Sequence, residues 1–333
     1  MESFAKFEHE GWQRVAGKYD SVWASSTRQF IPPLLDAAEV SGGMSVLDVG
    51  CGPGYVSAAA AARGATPRGL DFSREMVGIA QKMFPEIGFQ EADAQNLPFV
   101  SATFDRVLAN FALLHVPDPE RACAEACRVL KPGGKFGFTV WAALEENPYA
   151  KMIDDAIREH ADLEVDLPAG PPHHLFSGRE EFRRALAQAG FDGESMIFKL
   201  HSIYWNVPTA RYPFDAERDA GVRTAGLLAC QTPERLQAIQ SAIEESVRRY
   251  AKGDGFAIPK AAYVVAVGKK ERMEKEEERK QRGGGMRLCF LTVILLASTI
   301  ALAAGKDAPI TEQELVQRTQ ELYDAVAAGN QAP

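Results

Sequence analysis

The run Val46-Leu47-Asp48-Val49-Gly50-Cys51-Gly52-Pro53-Gly54 restricts the possible folds of this chain more than any other stretch. An apolar strand ends on a carboxylate, and the chain then alternates glycine with other residues. Glycine permits a tight turn and lets a ligand approach the backbone with no Cβ in the way. In open parallel sheets, ligands bind just beyond the carboxyl ends of the strands, where such turns sit. A helix starting there offers free N–H groups to a carboxylate or phosphate. The surrounding pattern agrees. Between 45 and 141, short β-rich runs (45–49, 68–70, 88–92, 104–109, 135–141) alternate with helical stretches near 55–63, 74–84 and 119–130. That alternation predicts βαβ units and a parallel sheet.

The loop alone admits two ligands. A dinucleotide site wants a third glycine where Tyr55 stands, after a strand with no acid. Asp48 would repel a pyrophosphate but suits an ammonium group, which favours a zwitterionic amino acid joined to a nucleoside. Two further acids fall where that ligand needs them. Asp71, in Gly69-Leu70-Asp71-Phe72-Ser73, ends the second strand and can take both ribose hydroxyls. Asp93, in Glu91-Ala92-Asp93-Ala94, ends the third and can accept from an adenine amino group.

These pieces, with Leu97-Pro98-Phe99, Leu114-His115-Val116-Pro117-Asp118 and Arg128-Val129-Leu130-Lys131-Pro132-Gly133-Gly134, stand in one order over residues 46–141. In that order they resemble the class I S-adenosylmethionine-dependent methyltransferases, specifically the type 11 small-molecule branch. The resemblance implies a Rossmann-like, seven-stranded, mostly parallel sheet with helices on both faces and helical lid insertions. It implies that Asp48, Gly50 and Gly52, with Cys51 in the same turn, hold the methionine end of S-adenosylmethionine. Asp71 would meet the ribose, Asp93 and Ala94 the adenine, and Asn110 the methionine portion, while Phe72 and Met76 pack on the adenosine. The expected activity is methyl transfer to a small-molecule acceptor, in line, in a groove at the strand ends. A nicotinamide-dependent oxidoreductase and a noncatalytic cofactor-binding scaffold are the alternatives.

Over the rest of the chain, Val15, Tyr19, Val22 and Trp23 recur at helical spacing in a leading helix. That helix, carrying Tyr19, and insertions at 141–174 and 205–223 are expected to form a lid. His115 is the candidate base if the acceptor needs deprotonation; Trp141, Trp205 and Arg223 are candidate substrate contacts. His173-His174 on extended chain face opposite ways, so no metal site is expected. Cys123 and Cys127, four apart on a helix, are expected to face the core. Caps are expected at Asp118-Pro119, at Thr232-Pro233 and at Ser177, with Gly190 ending the helix that Ser177 opens. A strand over 194–205 should alternate, with Met196, Phe198, Leu200 and Tyr204 on one face and Lys199 and His201 on the other.

With 333 residues, the chain has room for one large domain with insertions or for two. The reading is one methyltransferase domain over 1–270: a cofactor core (40–142), a substrate and lid region (143–260) and a last strand (261–268). A charged, Gly-ended linker follows at 271–287, then an apolar helix at 288–304 and a short polar helical tail at 305–333. As a helix, 288–304 spans about 25 Å, the lower limit for a bilayer. It is expected to be a membrane contact or the signal-like start of a fused reading frame. The catalytic domain is expected in the cytoplasm, since the five cysteines form no disulfide framework. The net charge of -8 argues against nucleic acid as a partner.

Overall fold

The computed structural model describes residues 3–171 and 178–270. All of these fall in residues 1–271, the first of the chain's two units. Strands β1 (Ser45–Val49), β2 (Thr66–Asp71), β3 (Gly88–Glu91), β4 (Phe104–Asn110) and β5 (Leu130–Trp141) pair in parallel. Strand β8 (Gly255–Lys269) enters antiparallel between β5 and β6 (Phe191–Val207). The order is β3-β2-β1-β4-β5-β8-β6, and the two-residue β7 (Ala251–Lys252) folds back on β8 as an eighth strand beyond the expected seven. The order reverses at β1, so β1 and β4 open a crevice at their carboxyl ends.

Helices cover both faces. On one, α6 (Pro119–Val129) and α8 (Arg179–Gln188) bury Cys123, Cys127, Phe182 and Leu186 against Val107, Phe136, Phe138 and Val265. On the other, α3 (Ile31–Ala37) and α4 (Tyr55–Ala62) bury Leu34, Val56 and Ala60 against Val46, Leu108 and Val264. A separate apolar cluster joins α7 (Pro148–His160), α9 (Tyr212–Ala220) and α11 (Pro233–Arg248) to Trp205, Val207 and Ile258. Two shorter or crossing elements complete the cover: α1 (Phe4–Val22) and α2 (Ala24–Thr27). Helices α5 (Arg74–Met83) and α10 (Arg223–Ala229) lie between the others in chain order.

Local punctuation works as the residue types dictate. The Asp118 carboxylate accepts from Arg121 N–H at 2.9 Å ahead of Pro119, and Thr232 caps α11 ahead of Pro233. Gly190, at φ +99°, ends α8. Three expectations need correction. The cap of α8 is Gly178, with no side-chain bond, and Ser177 lies outside the described residues. The strand expected at 135–141 starts earlier, at Leu130, which already pairs with Phe104; Lys131-Pro132-Gly133-Gly134 bulges within β5, and the register shifts before Arg106. Along β6, Met196 is buried, but Leu200 and Tyr204 are 45% and 61% exposed, while Ile203, Trp205 and Val207 are buried. The pairing with β8 has no slip over 197–207. The covered face changes instead: α8 covers the start of β6 and the helical cluster of α7, α9 and α11 covers the other face of its end.

Among the described residues no helix is long and apolar enough to cross a membrane. His173-His174, the 271–287 linker, the apolar run 288–304 and the 305–333 tail lie outside them.

Candidate active site

A cavity of about 660 Å³ opens at the carboxyl ends of β1, β2 and β4, which is ample for a nucleoside with an amino-acid tail. Its floor is the glycine turn. Gly50, at φ +66°, has no room for a Cβ, which would fall 2.4 Å from the Ala112 Cβ. Gly52, at φ +51°, is the reverse case: a Cβ there would meet nothing within 4 Å and would project into free space on the cavity wall. Only a bare backbone combines these two conformations with a close ligand.

Asp71 ties this turn to the next strand. Its Oδ2 accepts from Gly52 N–H at 2.9 Å and its Oδ1 from Ser73 N–H at 2.8 Å. Each oxygen keeps a second acceptor site, and the residue lines the cavity. Burial pushes its carboxyl upward, against the two N–H bonds that favour the charged form. Phe72, Met76, Asp93, Ala94 and Asn110 line the same cavity. Asp93 is exposed and already holds the Gln95 side-chain amide at 3.0 Å and 3.1 Å. Asn110 is fixed by Thr139 Oγ, which donates to its Oδ1 at 2.7 Å.

Asp48 does not reach the cavity wall, contrary to expectation. Neighbouring strand residues face opposite sides, and Asp48 faces α4. It is fully buried, and its Oδ2 accepts from Ser57 N–H at 3.0 Å and Ser57 Oγ at 2.7 Å. Its Oδ1 is fully enclosed and has no hydrogen-bond partner. Burial therefore raises its pKa to about 7, against the pull of Ser57. The acid reaches the turn indirectly, by anchoring the start of the helix that follows it. Cys51 lines the cavity, but burial drives its thiol far up, so it is no nucleophile.

The roof is α1 and the residue that caps its end: Ala5, His9, Trp12 and Tyr19, with Trp23, line the cavity. The Gln13 carboxamide oxygen accepts from Ser73 Oγ and from Glu75 N–H, both at 2.9 Å, which pins α1 to the start of α5. Trp23 Nε1 donates to Ala220 O at 2.9 Å, which pins it to the end of α9. Tyr19 hydroxyl lies 3.0 Å from Thr27 Oγ1, and burial pushes the phenol up to about 12. Beneath the roof, Glu8 is fully buried between His115 Nδ1 at 2.9 Å and Arg223 Nε at 2.6 Å. Burial raises the Glu8 carboxyl, but His115 and Arg223 outweigh it and hold it below the ordinary value. Arg223 also donates to Pro171 O and Leu114 O, so it is fully engaged in the wall.

The sequence reading did not find Glu8, His9, Trp12 or Lys260. Residues 5, 9, 12, 19 and 23 share one helical face, but they mix polar and apolar types and form no apolar stripe that marks it. Lys260 stands in a strand otherwise apolar from Ala257 to Val267, a charge where burial is expected. Trp141 lines the cavity, stacked on Phe111 at 4.0 Å. Trp205 is not on its wall; it is 1% exposed and packs behind Trp23 and Tyr149. Among the described residues, no His, Cys, Asp and Glu group is arranged to hold a metal ion.

The fit to a nucleoside–amino acid ligand rests on three features: free space at Gly52, spare acceptor sites on Asp71, and the apolar side chains of Phe72 and Met76 on the wall. The chain is similar to several known proteins. A family profile described as a methyltransferase domain matches residues 47–138. An uncharacterised protein of Mycobacterium bovis is 34% identical over 194 residues, covering 54% of this chain and 69% of that one. A demethylmenaquinone methyltransferase of Renibacterium salmoninarum is 39% identical over 126 residues, 37% of this chain and 53% of its own length. Among solved structures, a phosphoethanolamine N-methyltransferase of Haemonchus contortus, in complex with phosphomonomethylethanolamine and S-adenosylhomocysteine, is 17% identical. It covers 81% of this chain and 61% of its own, with a TM-score of 0.49.

Proposed function

The chain belongs to the class I S-adenosylmethionine-dependent methyltransferases of the type 11 branch, and on that basis we propose that its acceptor is a small, flat, largely apolar molecule. The observation that carries this reading is the division of one cavity. The glycine turn and Asp71 line one part of it, while Trp23, Phe111, Trp141 and Tyr149 line another. Aromatic walls sort ligands by shape and apolar area. The relative acting on demethylmenaquinone is consistent with an acceptor of that class.

When bound, S-adenosylmethionine supplies an activated methyl group, so positioning and water exclusion are the main work left to the protein. Asp71 and the Gly50–Gly52 backbone would hold the nucleoside and amino-acid ends, and Phe72 and Met76 the base. Helix α1, pinned at Ser73 and Ala220, covers the crevice and keeps water out. His115 presents Nδ1 to the Glu8 carboxylate. A proton held at Nδ1 leaves Nε2 as the acceptor, as a base at this position requires. The catalytic domain would span 1–270, with 271–333 outside it.

The test is to incubate the full chain with labelled S-adenosylmethionine and a cell metabolite extract, then identify what gains the methyl group. A labelled small aromatic or quinone-like product is expected. Cofactor binding without transfer to any extract component would mark the chain as a noncatalytic scaffold.

A further inference from the structure

Lys260 is 1% exposed on β8, yet it stands on the cavity wall. Its Nζ lies 4.2 Å from the ring centre of Tyr149, 4.7 Å from those of Trp141 and Trp205, and 4.9 Å from that of Trp23. Among the described residues no carboxylate pairs with it and no hydrogen bond is made by it. Glu217 on α9 is the charged group that faces it, but the Glu217 carboxylate is taken up by the Tyr149 hydroxyl at 2.7 Å. Burial pushes the ammonium down to about 7, against the pull of Glu217. Arg223, a partly buried cation of the wall, is fully engaged by Glu8 and two carbonyls.

An amine buried among ring faces, with no carboxylate paired to it, lacks the anion that would make its charged form favourable. From the placement of Lys260, we propose that it is the acceptor-binding residue of this enzyme and pairs with a single acidic oxygen, a phenol or enol, on a flat conjugated acceptor. A carboxylate suits the position less well. Its charge stays on two oxygens and does not spread into a ring, so it gains little from the aromatic walls. A phenolate has one oxygen, spreads its charge into a ring, and lays that ring against aromatic walls. The proton balance is simple: the acceptor O–H gives its proton to the neutral amine, leaving an ammonium–oxyanion pair and no free charge. Lys260 thus fixes the orientation of the acceptor and keeps it ionised in a dry pocket. This inference rests on the methyltransferase reading and names its acceptor class.

The probe is 4-nitrophenol, which is yellow only when ionised, added to the full chain with saturating S-adenosylhomocysteine at a pH below the probe's own pKa. Wild type is expected to turn the bound probe yellow. Lys260→Met, close in volume, is expected to bind it at least tenfold more weakly and without colour, while still binding S-adenosylhomocysteine as wild type does. That second titration shows that the variant is folded. Bound but colourless probe in wild type overturns the proposal, as does equal affinity in the two proteins. Benzoate binding more tightly than the phenol, in a Lys260-dependent way, also overturns it in favour of a carboxylate. Wild type that fails to bind S-adenosylhomocysteine refutes the methyltransferase reading itself, a separate outcome.

Discussion

Asp48→Asn isolates the cost of a buried, half-partnered carboxylate. Folding raises the Asp48 pKa from 3.8 to about 7 by burial. Between those values the folded state keeps a proton that the unfolded state has released. Stability from this group is therefore greatest below the unfolded pKa and is lost as pH rises through the folded one. At 1.36 kcal/mol per pKa unit, the ionised form costs up to about 4 kcal/mol above pH 7, of which about 3 kcal/mol develops between pH 5 and 8. Asparagine keeps the contacts with Ser57, since its carbonyl can accept both bonds now made to Oδ2. It also removes the titration. The assay is denaturant unfolding of ligand-free wild type and variant at pH 5 and pH 8. The difference between the two proteins cancels every other titrating group, including Glu8 and Asp105, whose lowered pKa values act with the opposite sign. The variant is expected to gain on wild type by a few kcal/mol from pH 5 to 8. Parallel pH curves would show that Asp48 is not titrating in that window, and that burial is offset by groups the geometry does not contain.

Three further perturbations separate the packing of the turn, its approach to the ligand and the buried Glu8 network of the wall. Gly50→Ala should destabilise by about 2–5 kcal/mol in thermal unfolding, from a left-handed φ and a Cβ overlapping Ala112. Gly52→Ala meets no atom, so it should lose only about 1–2 kcal/mol of stability yet bind S-adenosylhomocysteine much more weakly by calorimetry; intact binding would remove this turn from the cofactor site. Glu8→Ala leaves the Arg223 guanidinium and His115 without their buried carboxylate and should cost about 3–5 kcal/mol. A change below 1 kcal/mol would mean that Arg223 and His115 find other partners, and urea unfolding measures it.

The parallel sheet, the turn and the strand-end acids were legible because each is written in contiguous residues: alternating β and α periods, glycines at fixed spacing, acids after apolar runs. What was not legible depends on covering elements. Asp48 follows the pleat to α4, and its place at the strand end cannot show which side of the turn it occupies. Leu200 and Tyr204 match the period of Met196 and Phe198, yet are exposed because the helical cover changes faces along β6. The cavity face of α1 mixes Ala5, His9, Trp12 and Tyr19, which is too polar to register as an apolar stripe. Lys260 acquires its meaning only from four rings contributed by α7, β5, β6 and the residue after α1.

Titration calorimetry of the full chain with S-adenosylhomocysteine, repeated on Asp71→Ala and set beside titration with NADH, addresses the methyltransferase assignment most directly. Asp71 holds the glycine turn through Gly52 and offers its spare acceptor sites to the cavity. The expected result is one S-adenosylhomocysteine per wild-type chain, binding at least a hundredfold weaker in Asp71→Ala, and no heat from NADH. Heat from NADH with none from S-adenosylhomocysteine, or equal S-adenosylhomocysteine affinity in both proteins, contradicts it.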